Sequence, residues 1–152
     1  MNANTSKLLT ASLLGYCFWN ASNLFTPSGI RFETYGLIPL LIWILPILFY
    51  LLPQPSKFSG NPYALGVALF ISFMSTIVEL NVLAHLALAL ALISLVPLLV
   101  SLIPWYLSAI SWMPAFGYFG AHYFPNVVLP LRFIVPLLGS LWGIWILYRG
   151  KS

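Results

Sequence analysis

Glu79, Asn81, His85, His122 and Arg132 are the side chains whose types and spacing could do chemistry in this sequence. Asn81 and His85 stand four residues apart, which on a helix puts them on one face, able to bond each other or a shared ligand. A histidine so placed can carry a proton, bind a metal or pack through a hydrogen bond. Glu79 and Arg132 carry opposite charges and are expected at similar depth, so a contact between them is expected. That contact would either neutralise two costly charges and pin two helices together, or belong to a working site. The histidines and Glu79 lack the compact spacing of a ligand set, so neither a metal nor a cofactor is expected. Cys17 lies inside an apolar run, where a thiol behaves as a small hydrophobe. No GxSxG, HExxH, P-loop or paired-aspartate signature is present, and nothing in the sequence argues for a self-sufficient enzyme.

The elements that must position these groups follow from composition. Of 152 residues, 61% are hydrophobic and 5% charged, whereas a soluble domain carries charge on about a quarter of its positions. That excludes a water-soluble fold and predicts an integral membrane protein whose first partner is the lipid bilayer. Disorder is excluded by the same figures, and one cysteine cannot form an internal disulfide. The net charge of +4 is spread over Lys7, Arg31, Lys57, Arg132, Arg149 and Lys151. Without a basic patch there is no footprint for nucleic acid, and scattered cations read instead as orientation signals.

Crossing about 30 Å of hydrocarbon takes roughly 20 apolar residues. Divided on that length, the chain gives six segments: Leu8 to Phe25, Tyr35 to Leu52, Tyr63 to Val78, Val82 to Ile103, Trp105 to Phe124 and Val127 to Tyr148. The polar interruption at Glu79 and Asn81 predicts a tight helical hairpin, and Pro97 reads as a kink in the helix that follows. The aromatic Trp105 to Phe124 segment, with Pro114, Gly117 and Gly120, either crosses, re-enters or lies at the interface. Six crossings with the N-terminus inside leave Lys7, Lys57, Arg149 and Lys151 inside and Arg31 and Arg132 outside, which obeys the positive-inside rule. Without the fifth crossing the bias vanishes. The expected architecture is thus an all-α polytopic bundle of six transmembrane helices, one domain over residues 1–152, with both termini cytoplasmic. Five spans plus a re-entrant or interfacial segment is the alternative. Lys7 and the apolar run after it resemble a signal sequence, but Trp19 and Asn20 stand where a cleavage site needs small residues, so a retained first helix is expected.

In that topology Glu79, Asn81, His85, His122 and Arg132 converge on the outer face, making an outward polar pocket the place to look for function. Ala84, Ala87, Ala91 and Ser94 form a small-residue stripe and Gly139 with Gly143 a GxxxG, both suited to close helix packing. The partner helix is either internal, in a second copy, or in another membrane protein.

Tyr35-Gly36-Leu37-Ile38-Pro39-Leu40-Leu41, the hairpin after it and Trp112-Met113-Pro114 resemble the front half of exosortase and archaeosortase membrane proteins, over about Tyr35 to Leu138. The resemblance implies a cell-membrane location and a role near the processing of sorting tails of exported proteins. That family's catalytic cysteine, arginine and histidine lie in later helices and match no position here, because Cys17 sits in the wrong helix and the catalytic half is lacking. The implied role is a non-catalytic accessory subunit of a protein-sorting or envelope-assembly system. Its rivals are a small transporter or channel subunit using Glu79, His85 and Arg132, and an intramembrane enzyme using the outer pocket.

Overall fold

Apolar runs punctuated by Pro, Gly and Asn fold here as helices of very unequal length. The computed structural model describes residues 3–21 and 36–150, the side chains of residues 3 and 56 excepted. The first loop with Arg31 and Glu33, and Lys151 in the basic tail, lie outside the described residues. Among the described residues there are no strands, and the α-helices are α1 (Ala3–Asn20), α2 (Leu37–Leu51), α3 (Pro62–Val78), α4 (Asn81–Ile93), α5 (Ile103–Ser108), α6 (Pro114–Tyr123) and α7 (Val128–Arg149). The chain divides into two compact units, the first Met1–Asn23 with Tyr50–Leu98 and the second Leu24–Phe49 with Leu99–Ser152.

In the first unit α1, α3 and α4 pack on one another. Pro62 opens α3, where a missing N–H costs nothing. The Asn61 Oδ1 atom accepts from the Tyr63 and Ala64 N–H groups and so caps that end. The helix ends at Glu79, which adopts the left-handed conformation with φ 56° and ψ 31°, and the Leu80 N–H bonds back to the Ser75 carbonyl at 3.2 Å. Asn81 then starts α4, so the hairpin turns where its polar residues interrupt the apolar run. The expected Val82 to Ile103 span is not one kinked helix: α4 stops at Ile93, and Pro97 stands in a stretch with no helix. The Ser94 carbonyl is taken by the Asn61 N–H at 2.9 Å, and the Ser94 hydroxyl donates to the Ala91 carbonyl at 2.6 Å, so the chain leaves the helix with its polar groups met.

The second unit holds α2, α5, α6 and α7. The aromatic segment from Trp105 to Phe124 is not one continuous helix either. It is cut into α5, a 3-10 turn over Ala109–Trp112, and α6 after Met113 and Pro114. Trp105 and Trp112, aromatic residues of a kind that favours the headgroup level, are completely buried. Pro46 within α2 and Pro136 within α7 are tolerated inside helices, both buried.

Among the described residues α7, with 22 residues or about 33 Å, is the helix long and apolar enough to cross a membrane. Leu37–Leu51, Pro62–Val78 and Asn81–Ile93 are apolar but shorter. Along α3, Val67, Phe70, Phe73 and Ile77 are exposed while Ala68, Ser72 and Ser75 are buried. In α7, Leu138 and Leu141 face out and Arg132, Gly139, Ser140 and Gly143 face in. Leu65 in α3 and Val128 and Leu147 in α7 are buried, but most large apolar side chains of the two helices lie outside and the small or polar ones inside, the reverse of a helix packed on a core in water.

Candidate functional site

The expected polar pocket draws on both units: Glu79, Asn81 and His85 belong to the first, His122 and Arg132 to the second. Glu79 is exposed at the hairpin turn, its contribution there being the backbone geometry that ends α3. His122 is exposed in the last turn of α6, its ring edge-on to Tyr123 at 4.9 Å. The Glu79–Arg132 pairing stays an expectation between residues of separate units.

His85 is a buried titratable group of the first unit, only 2% exposed. One side of its ring is engaged by the Asn81 backbone, and Nε2 has no hydrogen-bond partner among the described residues. A buried lone pair left unmet costs about 1–3 kcal/mol. Chemically, Nε2 is a proton acceptor held away from solvent. Around the middle of the same unit runs a ladder that sequence reasoning missed. The Asn20 amide reaches the Ser72 carbonyl (3.1 Å), the Ser72 hydroxyl (2.9 Å) and the Thr76 hydroxyl (3.1 Å). Cys17, fully buried and reduced, lies against the Ser72 side chain. Lower in the unit, the Thr10 hydroxyl accepts from the Gly60 N–H at 3.2 Å. Ala84, Ala87, Ala91 and Ser94 are buried within this unit, where α4 meets α1 and α3.

In the second unit the polar side chains are aimed at carbonyl oxygens that broken helices leave over. Pro46 has no N–H, so the Ile42 carbonyl four residues earlier loses its helical partner, and the Ser140 hydroxyl donates to that oxygen at 2.8 Å. At the end of α5 the Ala109 N–H turns to nearer carbonyls, and the Trp105 oxygen receives Trp43 Nε1 at 2.9 Å and the Ser108 hydroxyl at 2.6 Å. Trp105 Nε1 donates in return to the Trp43 carbonyl at 3.0 Å, with the two indoles stacked at 5.1 Å. Trp142 Nε1 donates to the Ser101 carbonyl at 2.8 Å. Arg132, with no exposed surface, donates from Nε to the Ser111 carbonyl (3.2 Å) and from an Nη to the Trp112 carbonyl (3.1 Å), where the 3-10 turn ends. A cation there meets the negative end of a helical turn. Gly139 and Gly143 let this happen: a Cβ at Gly139 would collide with the Ser108 side chain, and one at Gly143 would press on Pro46 and Trp105 at 3.1 Å.

The buried indoles and serines were missed because their partners are main-chain oxygens. A signal for one of them was present: a proline inside an apolar run frees the carbonyl four residues before it. Among the described residues no three of His, Cys, Asp and Glu come together in a way that could hold a metal ion. No protein-family model matches the chain, and neither does any curated protein or solved structure.

Proposed function

We propose that this chain is a multi-pass protein of the cell membrane, with both termini cytoplasmic, that works as a non-catalytic accessory subunit in an exosortase-like protein-sorting or envelope-assembly system. The observation that carries the reading is the inverted distribution of side chains. Leucine, phenylalanine and isoleucine cover the outer faces of α3 and α7, while serine, glycine and arginine are turned inward. Such a surface is favourable against lipid, and the thorough capping of carbonyls where helices break is what a chain without water must achieve. The accessory role is supported by what the polar groups do: Arg132, Ser140 and the buried tryptophans are occupied with holding the main chain. The six-span topology rests on the lysine and arginine bias, and the exosortase connection on the Tyr35 to Leu41 and Trp112 to Pro114 resemblance. Gentle extraction from the native membrane followed by mass spectrometry of intact complexes tests this reading. A stoichiometric membrane partner is expected; recovery of this chain alone or as a homo-oligomer contradicts the accessory role.

A second reading, a small transporter or channel subunit, is favoured by one observation, the unpartnered buried Nε2 of His85. Reconstituted alone in liposomes, such a protein would move solute or protons and lose that flux in His85→Leu. No flux is expected under the accessory reading.

A further inference from the structure

At the end of the first unit away from the Glu79 turn, a cavity of about 240 Å³ opens between the loop before α3 and the segment after α4. Lys57, Ser59, Gly60, Asn61 and Ser94 line it, with Tyr50 at one side. The loop is held in place from several directions. The Asn61 N–H bonds the Ser94 carbonyl at 2.9 Å and the Gly60 N–H bonds the Thr10 hydroxyl at 3.2 Å. A Cβ at Gly60 would sit 2.7 Å from the Ser94 hydroxyl, so the close approach requires glycine there.

The donors at this cavity are in surplus. The Lys57 ammonium lies 5.6 Å from the centre of the Tyr50 ring, and the one carboxylate in its unit, Glu79, stands at the far end of α3, roughly 25 Å along the axis. The Asn61 side chain spends its oxygen on capping α3, which leaves its NH2 group to donate. The Ser59 and Ser6 hydroxyls share one hydrogen bond at 2.8 Å in which either can donate, so the Ser59 proton is available to a ligand when Ser6 is the donor. A compact cation, an amide and a hydroxyl around a small polar cavity, with no carboxylate nearby among the described residues, match the chemistry of a phosphate oxygen cluster.

We propose that this cavity binds a phosphate-bearing anion through Lys57, Asn61 and Ser59. The same chemistry is offered by an anionic phospholipid headgroup and by free phosphate. The site itself stands on the cavity and its donors; the lipid source alone rests on the membrane reading, where anionic headgroups meet basic loops.

The test is calorimetric titration of the full chain in neutral detergent with short-chain phosphatidylglycerol, short-chain phosphatidylcholine and inorganic phosphate. The variants are Lys57→Gln, Lys57→Arg and, as a charge-matched control, Arg149→Gln in the second unit. Lys57 is exposed, so its replacement leaves the helical circular dichroism unchanged. The expected result is saturable binding that weakens about tenfold or more in Lys57→Gln, and survives in Lys57→Arg and Arg149→Gln. Binding of phosphatidylglycerol over phosphatidylcholine assigns the lipid source, and binding of inorganic phosphate alone, with the same Lys57 dependence, assigns the free anion. Absence of saturable binding to any of the three, or an equal loss in Lys57→Gln and Arg149→Gln, overturns the proposal. A failure of multi-pass insertion, read separately by alkaline extraction of membranes, would remove the lipid source and leave the phosphate arm standing.

Discussion

In the first unit polar side chains bond across unbroken helices, Asn20 reaching Ser72 and Thr76, whereas in the second they reach main-chain oxygens where helices stop or contain proline. The first unit therefore needs small residues, and Ala84, Ala87 and Ala91 let α4 approach α1 and α3 closely. The second needs donors with long reach, which is why Trp43, Trp105 and Arg132 are buried there rather than spread at an interface. In apolar surroundings polar groups need partners within the protein, and among the described residues both arrangements leave a buried exception, His85 Nε2 in the first unit and Trp112 Nε1 in the second. The lesson is that a broken helix is stable in such surroundings when side chains from elsewhere in the unit complete its hydrogen bonds.

The chain carries its own reporters for this contrast. Cys17 is buried in the first unit, and five of the six tryptophans, Trp43, Trp105, Trp112, Trp142 and Trp145, lie in the second, the sixth being the exposed Trp19 of the first. Arg132→Met should have the largest effect, because it strips the Ser111 and Trp112 carbonyls of a buried charged donor. A loss of about 3 kcal/mol or more is expected, seen as an early tryptophan-fluorescence transition on heating in detergent. Alkylation of Cys17 should lag behind that transition; simultaneous exposure of the thiol would show that the two units do not differ as described.

Trp105→Phe comes next. It keeps an aromatic ring against Trp43 but removes the Nε1 donor to the Trp43 carbonyl, and about 2 kcal/mol of destabilisation is expected from equilibrium unfolding. A variant as stable as the parent would mean that stacking alone holds α2 to α5.

Glu79→Gly should have the smallest effect, with the opposite sign. A non-glycine residue at φ 56° is strained, so thermal stability should rise by up to about 1 kcal/mol if the turn is all that Glu79 provides. A marked fall would restore a role for its carboxylate, including the expected pairing with Arg132.

Much of the first unit was legible before the structure. The hairpin followed from Glu79 and Asn81 interrupting an apolar run, because it depends on residues adjacent in sequence. The second unit was not. Pro97 resembles a kink-forming proline, yet α4 ends at Ile93, where Ser94 can pair with both Ala91 and Asn61. Trp105 and Trp112 have the amphipathic character of interface residues, yet both are buried, and the Trp105 indole is held inward by its hydrogen bond to the Trp43 carbonyl in α2. Arg132 depends likewise on where the chain breaks after Trp112. Which oxygen lacks a partner is a property of the folded main chain, and residue types alone do not specify it.

The most direct measurement is a double-mutant cycle on Pro46 and Ser140, read by equilibrium unfolding of the full chain in detergent. If the Ser140 hydroxyl serves the carbonyl of Ile42 because Pro46 removes its helical partner, Ser140→Ala costs about 1 kcal/mol in the parent and close to nothing once Pro46→Ala restores the N–H. An equal cost in both backgrounds would contradict the account of how the second unit holds its broken helices.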